Sequence, residues 1–431
     1  MSSISTMSSV TTSTSTKSAL DLLAIRQQFP ALNQQWQGQQ PVFLDGPGGS
    51  QVSQSVLDAM MHYLGHYNAN LGGAYFSSQK TVELMHNARL AAADFYHAAH
   101  ANEIVFGANA TSLTFHMSRA IARDWQAGDE IIVTALDHYS NVSPWEIMAA
   151  EKGATVHHVR VNADDCTLDY DHLASLLNNK TRLVAVTYAS NTTGSIVDMP
   201  KVMALVKQHS QALTYIDAVH YAPHRSLDVQ ALDCDFMVSS AYKYFGPHLG
   251  VLYAKASVLS GLTPYKVAPA KDVDPNRWET GTQSYEALAG YIAAIDYLAS
   301  LSSLTGLSRR EQLIDAFAQI EQHEIQLSHS LIQQLSDIKG IQFFGITKLD
   351  ALTNRTPTIA FRIDHIEPRT VTEFFAQHQV CLWDGNFYAQ GLYEQLGLSD
   401  IGGVVSIGCM HYNTQAEITR FCTLLAQLCS E

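Results

Sequence analysis

The sequence predicts an α/β fold: a large, mostly parallel seven-stranded sheet with helices on both faces, then a smaller α+β C-terminal domain. Three observations predict it. Strand-like and helix-like segments alternate from residue 103 to residue 255, as parallel strands joined by crossover helices require. Strand segments such as LVAV (183–186) are apolar at successive positions, the pattern of a strand covered on both faces. The 431 residues, 46% of them hydrophobic, are enough for more than one core.

Residues 1–17 are almost all Ser and Thr, lack the apolar stretch of a secretory signal, and read as a disordered tail. Order is expected from Ser18, with a helical pattern over 18–28 that stops at Pro30. VFLDGPGG (42–49) is a short strand meeting a glycine turn. Residues 52–64 are helical, YNANLGGAYF (67–76) is an irregular loop, and 78–98 form a long Ala-rich helix. The seven strands then fall at 103–107, 129–134, 155–161, 182–190, 212–218, 236–240 and 250–255. Helices over 111–124, 144–151, 169–177 and 198–208 separate the first five, and strict alternation implies that neighbours run parallel. Helices at 285–300 and 307–337 lead into strands at 341–345, 357–363, 379–383 and 403–409, with helices at 370–377 and 414–428. As domains, 18–45 is an N-terminal segment packed on the smaller domain, 46–285 the large domain and 286–431 the small one.

Charge and cysteine usage exclude some functions. The net charge is -14, from 26 basic and 40 acidic residues, and no basic stripe is available to contact phosphates along a nucleic acid. The six cysteines (166, 234, 381, 409, 422, 429) contain no CxxC pair and no metal-ligand spacing, so no metal is expected. Scattered free thiols suit the cytoplasm. No apolar run reaches the length of about 18 residues that a membrane-spanning helix needs, so no membrane is expected.

Open α/β sheets bind ligands beyond the carboxyl ends of their strands. Several chemistry-bearing groups fall there: GANATS (107–112), Asp137-His138, Asn191, Asp217 with His220, and Ser240 to Lys243. The helix opened by GANATS offers backbone amides to an anion, although Asn109 or Thr111 also reads as an ordinary N-cap. A carboxylate such as Asp217 at a strand end can pair with a ligand cation, or simply cap a turn. His138 can stack on a flat ring or carry protons, or be a loop histidine. Lys243 lies between two tyrosines ahead of Gly246-Pro247, which favours burial and imine chemistry over a snorkelling surface lysine. Together these groups describe a ligand with a phosphate, an aldehyde, a ring nitrogen and a flat face. Pyridoxal 5'-phosphate has all four.

From about Asp21 to the C-terminus the sequence resembles the class V branch of fold-type I pyridoxal-phosphate enzymes, specifically the cysteine desulfurase-like proteins. The resemblance implies that Lys243 in SAYKYFGP carries the cofactor. It also implies that His138 in DHYSN stacks on the ring, Asp217 in YIDAVH pairs with the ring nitrogen, and Asn191 in YASNTTG lies near the ring hydroxyl. The phosphate cup it implies is Ala110, Thr111, Ser240 and Tyr242, completed by Thr282 in ETGTQS from the second subunit of a homodimer with shared active sites. Three departures stand out. Tyr388, in LWDGNFYAQG, fills the position of the desulfurase cysteine, and Cys381 lies seven residues earlier. Ser406 stands where an arginine would grip a substrate carboxylate, and His220 replaces a glutamine.

The expectation is a pyridoxal-phosphate enzyme acting on a small amino substrate, aminotransferase-like and not a true desulfurase. Epimerase and β-lyase activities are alternatives, as is a non-catalytic regulatory protein that only binds the cofactor. An epimerase would need a second acid, for which His220, Tyr388 and Asp384 are candidates. Substrate contacts are assigned to Tyr388, Asn70 and Arg355, the last preceding a small-domain strand and replacing the missing arginine; Arg362 is a weaker candidate.

Overall fold

The protein is described from a computed structural model covering residues 20–430; the Ser/Thr-rich segment 1–17 lies outside the described residues. The strands, in chain order, are β1 (Val42–Phe43), β2 (Ile104–Gly107), β3 (Glu130–Thr134), β4 (Thr155–Val159), β5 (Thr181–Thr187), β6 (Leu213–Asp217), β7 (Phe236–Ser240) and β8 (Gly250–Ala254). They continue with β9 (Ile341–Phe344), β10 (Thr358–Ile363), β11 (Val380–Cys381), β12 (Trp383–Gly385) and β13 (Val404–Gly408).

The large sheet has seven strands in the order β2-β8-β7-β6-β5-β3-β4. Both faces are covered, as the apolar strands foretold. Ile104, Phe106, Ile132, Val184 and Met237 pack into one apolar cluster, and Val105, Ile131, Val133, Leu183 and Val238 into the other. Neighbouring residues therefore serve opposite cores, as the period of two along a strand requires. One strand departs from the strict parallel expectation: β8 runs antiparallel to both β7 and β2. Only residues 241–249 link β7 to β8, too short for a crossover helix and long enough for an antiparallel return.

The smaller sheet, β12-β13-β10-β9, is antiparallel throughout. Its core of Ile359, Phe361, Val405, Ile407, Ile418 and Phe421 also takes in Val42 and Leu44 from the N-terminal segment. β1 pairs in parallel with β11, and Arg26 forms a salt bridge to Glu417 at 3.0 Å. Sequence placed residues from 286 onward in the small domain. The helix Tyr285–Ser300 instead buries Leu288, Tyr291, Ile295 and Leu298 in the cluster that holds Ile104 and Phe106. The helix Arg309–Ser336 follows, capped by a Ser308–Glu311 capping box. Its first half (Leu313, Phe317, Ile320) joins the large-sheet cluster and its second half (Leu327, Leu331, Leu335) the smaller core. No described helix is long and apolar enough to cross a membrane.

What positions the site is the carboxyl edge of the large sheet. Chain order reverses direction between β3 and β5, which opens a crevice there. Gly250 lets β8 approach the start of the helix Ala110–Ile121; a Cβ on it would lie 2.5 Å from the carbonyl carbon of Asn109. Gly250→Ala is therefore expected to destabilise the fold by about 1–3 kcal/mol, because backbone rather than a pliable side chain must yield. A lowered urea midpoint would show it; an unchanged midpoint would mean that the contact relaxes freely.

Candidate active site

Three neighbouring strand ends and the loops after β3 and β5 deliver the candidate residues to one cavity of about 490 Å³. Ala110, Thr111, His138, Asn191, Asp217, His220, Ser240, Tyr242 and Lys243 all line it. Register places Thr187 of β5 beside Asp217 of β6, and Asp217 beside Val238 of β7. β7 ends at Ser240 and runs directly into the 3-10 turn Ala241–Lys243, so the lysine follows the strand end by three residues. Asn109 caps the helix Ala110–Ile121 by accepting from the Ser112 amide at 2.8 Å, and the Ala110 amide donates to Ser240 Oγ at 3.1 Å. The first turn of a 12-residue helix and a serine hydroxyl thus share one rim of the cavity.

Electrostatics around Lys243 are set by burial and two carboxyls. Burial lowers the ammonium pKa to about 8, against the raising influence of Asp217 and Asp45. Burial pushes Asp217 up to about 6, opposed by the Val219 amide hydrogen bond (2.9 Å), by Lys243 and by the Ser140 hydroxyl. His138 Nδ1 accepts from the Ser140 amide at 3.0 Å, so the proton of the neutral ring sits on Nε2. Burial and the Lys243 charge lower its pKa to about 4, which keeps the ring neutral. His220 is buried, pairs through Nε2 with Thr356 Oγ1 at 3.1 Å, and is held neutral mainly by burial.

These residues suit pyridoxal 5'-phosphate. The helix start and Ser240 offer donors for its phosphate. Asp217 offers a carboxylate for a ring cation, the His138 face offers a stacking surface, and Lys243 offers an amine. The buried Asn191 Oδ1 has no hydrogen-bond partner, while its Nδ2 donates to the Phe387 carbonyl at 2.8 Å. An acceptor is thereby left free, as the ring hydroxyl that the family resemblance implies near Asn191 would need.

Other expected residues stand elsewhere. Arg355 does not face the cavity. It is buried, and its guanidinium donates to the carbonyls of Thr193, Ile346, Thr356 and Thr358. Those bonds take four of the five N–H donors, so Arg355, outside the cavity lining, holds chain segments together and cannot form the bidentate pair a substrate carboxylate would need. Arg362 is likewise engaged, with the carbonyls of Ile401 and Gly403. Asn70 is exposed and accepts from the Tyr285 hydroxyl at 3.0 Å, away from the cavity. Thr282 lines a separate cavity of about 330 Å³, shared with Gly107, Ser112 and Trp278. Tyr388 lies at the mouth, its ring 5.3 Å from that of His138.

Sequence reasoning missed several neighbours. Asp45 presents a buried, unpartnered Oδ1 beside Lys243, and the Pro47 carbonyl accepts from Lys243 Nζ. Both lie in the glycine turn that had been read only as a bend. Asp137 is fully buried, accepts from Thr134 and Asn141, and is pushed up to about 8 by burial, so it stays protonated below the loop of His138. A glycine-rich turn after a strand and an Asp immediately before a candidate histidine were the available signals.

The comparisons with known proteins agree with this geometry. The family pattern Aminotransferase class-V matches residues 42–421. The aminotransferase-like protein FGM3 of Gibberella zeae is 34% identical over 419 residues, covering 95% of this chain and 98% of that one. A probable cysteine desulfurase of Synechocystis sp. is 30% identical over 415 residues, covering 92% and 93%. The apo structure of a cysteine desulfurase from Thermococcus onnurineus NA1 superposes with a TM-score of 0.84 at 23% identity, over 95% of this chain and 98% of that one. The chain belongs to the class V aminotransferase family, in its cysteine desulfurase-like branch, and is a pyridoxal 5'-phosphate-dependent enzyme.

Proposed function

We propose that the enzyme carries its cofactor on Lys243, acts on a primary amine, and is aminotransferase-like rather than a cysteine desulfurase. One observation supports this above others. Lys243, Asp217 and His138 converge in one cavity, while among the described residues no cysteine lines that cavity or its mouth. Cys381 lies in β11, with its thiol pushed up to about 11 by burial, and a protonated thiol is a poor nucleophile.

When bound, pyridoxal 5'-phosphate supplies an electron sink for negative charge on the carbon bearing the substrate amine. The chain does the rest. Thr111 and Ser240 would hold the phosphate through amide and hydroxyl donors at the helix start, with the Ala110 amide orienting Ser240 Oγ. Asp217 would keep a proton on the ring nitrogen, and His138, a neutral imidazole, would offer its face to the ring. Lys243 Nζ, with its lowered pKa, takes and returns a proton near neutral pH as general base and acid. Two of the three rival proton carriers are engaged: Asp384 accepts from Thr372 at 2.7 Å and pairs with Arg369 at 3.2 Å, and His220 is neutral and bonded to Thr356. The third, Tyr388, stands at the mouth beside His138. Proton return through Lys243 supports transamination or β-elimination, whereas epimerisation would need Tyr388 as the second acid. A second copy of the chain supplies Thr282 to the phosphate, a reading supported by its absence from its own subunit's cavity lining.

Borohydride reduction of the coloured protein is expected to fix the cofactor on the peptide bearing Lys243, and Lys243→Ala should abolish the band while the far-ultraviolet circular dichroism is kept. A label on another lysine would refute the assignment. When pyridoxal 5'-phosphate is added to cofactor-free protein, the rate at which the band appears should rise with pH through a midpoint near 8, since only the neutral amine attacks. Asp217 raises the Lys243 pKa, so Asp217→Asn should move that midpoint down. A midpoint near 10 would show an amine in an ordinary aqueous setting. Sulfide release from cysteine under reductant should be slow and unchanged in Cys381→Ala; fast release lost in that variant would reinstate desulfuration.

A further inference from the structure

A second cavity, of about 430 Å³, continues from Lys243 outward and forms the mouth of the site. Trp383 from β12, Phe387 and Tyr388 line it opposite Gly48 and Tyr242. The indole of Trp383 rests against the α-carbon of Gly48, where any Cβ would collide with it. Trp383 is 50% exposed and Tyr388 72%, unusual for large apolar rings that also border a cavity. Two consecutive aromatics, Phe387 (φ 51°) and Tyr388 (φ 58°), hold the left-handed backbone region that bulky side chains avoid. The conformation is pinned from the large domain: Asn191 donates to the Phe387 carbonyl, and the Tyr139 amide to the Tyr388 carbonyl, each at 2.8 Å. Strain maintained by such ties beside a reactive amine points to a required presentation of those rings.

The described lining of the cavity and its mouth offers a substrate carboxylate no arginine. Among the described residues lining the cavity and its mouth, Lys243 is the one Lys or Arg side chain. Arg355 and Arg362 are bonded to backbone carbonyls, and the exposed Arg369 lies outside both linings, paired with Asp384 at 3.2 Å. Ser406, at the position expected to carry a carboxylate-binding arginine, is fully buried with an unpartnered hydroxyl. The carboxyls acting on Lys243 are Asp217 and Asp45, while Asp384 at the mouth is balanced by Arg369.

We infer that the substrate is a primary amine on an aromatic or apolar body with no carboxylate on the amine-bearing carbon, its body packed against Trp383 and Tyr388. This rests on the reading of Lys243 as the cofactor-bearing residue, and two experimental arms separate the two. In the first, the holoenzyme is titrated with 2-phenylethylamine, phenylalanine and methylamine while the cofactor absorbance is followed. Phenylethylamine should half-saturate at a concentration about 10-fold or more below phenylalanine. Trp383→Ala and Tyr388→Ala should each raise the phenylethylamine value about 5- to 10-fold, through lost aromatic packing, and change methylamine by less than about 2-fold. In the second arm, Lys243→Ala, which cannot carry the cofactor covalently, is titrated by tryptophan fluorescence with Lys243→Ala/Trp383→Phe as the blank. Phenylethylamine should quench the Trp383 emission at concentrations where phenylalanine does not. Phenylalanine binding as tightly as phenylethylamine, or aromatic variants with unchanged affinities, would overturn the inference. So would no response to any amine from a holoenzyme labelled at Lys243, which leaves the cofactor assignment intact. A holoenzyme labelled elsewhere, with Trp383 still quenched selectively, would overturn the assignment and keep the amine preference.

Discussion

The organisation of the site depends on one amine kept out of bulk water beside two carboxyls. Desolvation of Lys243 disfavours its charge, whereas Asp217 and Asp45 restore part of that charge. The balance leaves an amine that is neither a permanently charged surface lysine nor an inert buried one. Its position follows from sheet geometry: Asp217 ends β6, and Lys243 follows the end of the neighbouring β7. Moving either strand by one residue would turn its end groups to the other face and separate the pair.

Much of this was legible before any coordinates. The alternation of strand and helix, and the apolar strand at 183–186, point to a sheet covered on both faces, and open α/β sheets bind ligands at their carboxyl ends. Lys243, Asp217, His138 and Thr111 could be picked out because a strand end is a position that local sequence marks. The antiparallel turn of β8 was hidden because the rhythm of segments does not state direction; only the shortness of residues 241–249 hints at it.

Arg355 was misplaced for a different reason. A loop arginine before a strand looks available, and sequence does not disclose that four carbonyls from separated segments converge on it. Of the mouth aromatics Trp383, Phe387 and Tyr388, Tyr388 alone was singled out by the sequence. Its presentation with Phe387 stayed hidden because left-handed backbone at non-glycine residues has no composition signature. Asp45 was overlooked within a glycine turn because its importance comes from Lys243, almost 200 positions later in the chain.

The helix Arg309–Ser336 passes through both hydrophobic cores, and near its centre the buried Glu324 carboxyl meets His224 Nδ1 at 3.0 Å. At 1.5 Å per residue, its 28 residues make a rod about 42 Å long. The buried pair at its middle lies four residues along the chain from a histidine lining the cofactor cavity. A tilt of roughly 5° about the middle displaces the far end by about 2 Å, given the helical rise. That distance is comparable to the separation over which a hydrogen bond is made or lost. The second half of the helix shares its core with β10 and β13, and β13 pairs with the β12 strand that carries Trp383 to the mouth.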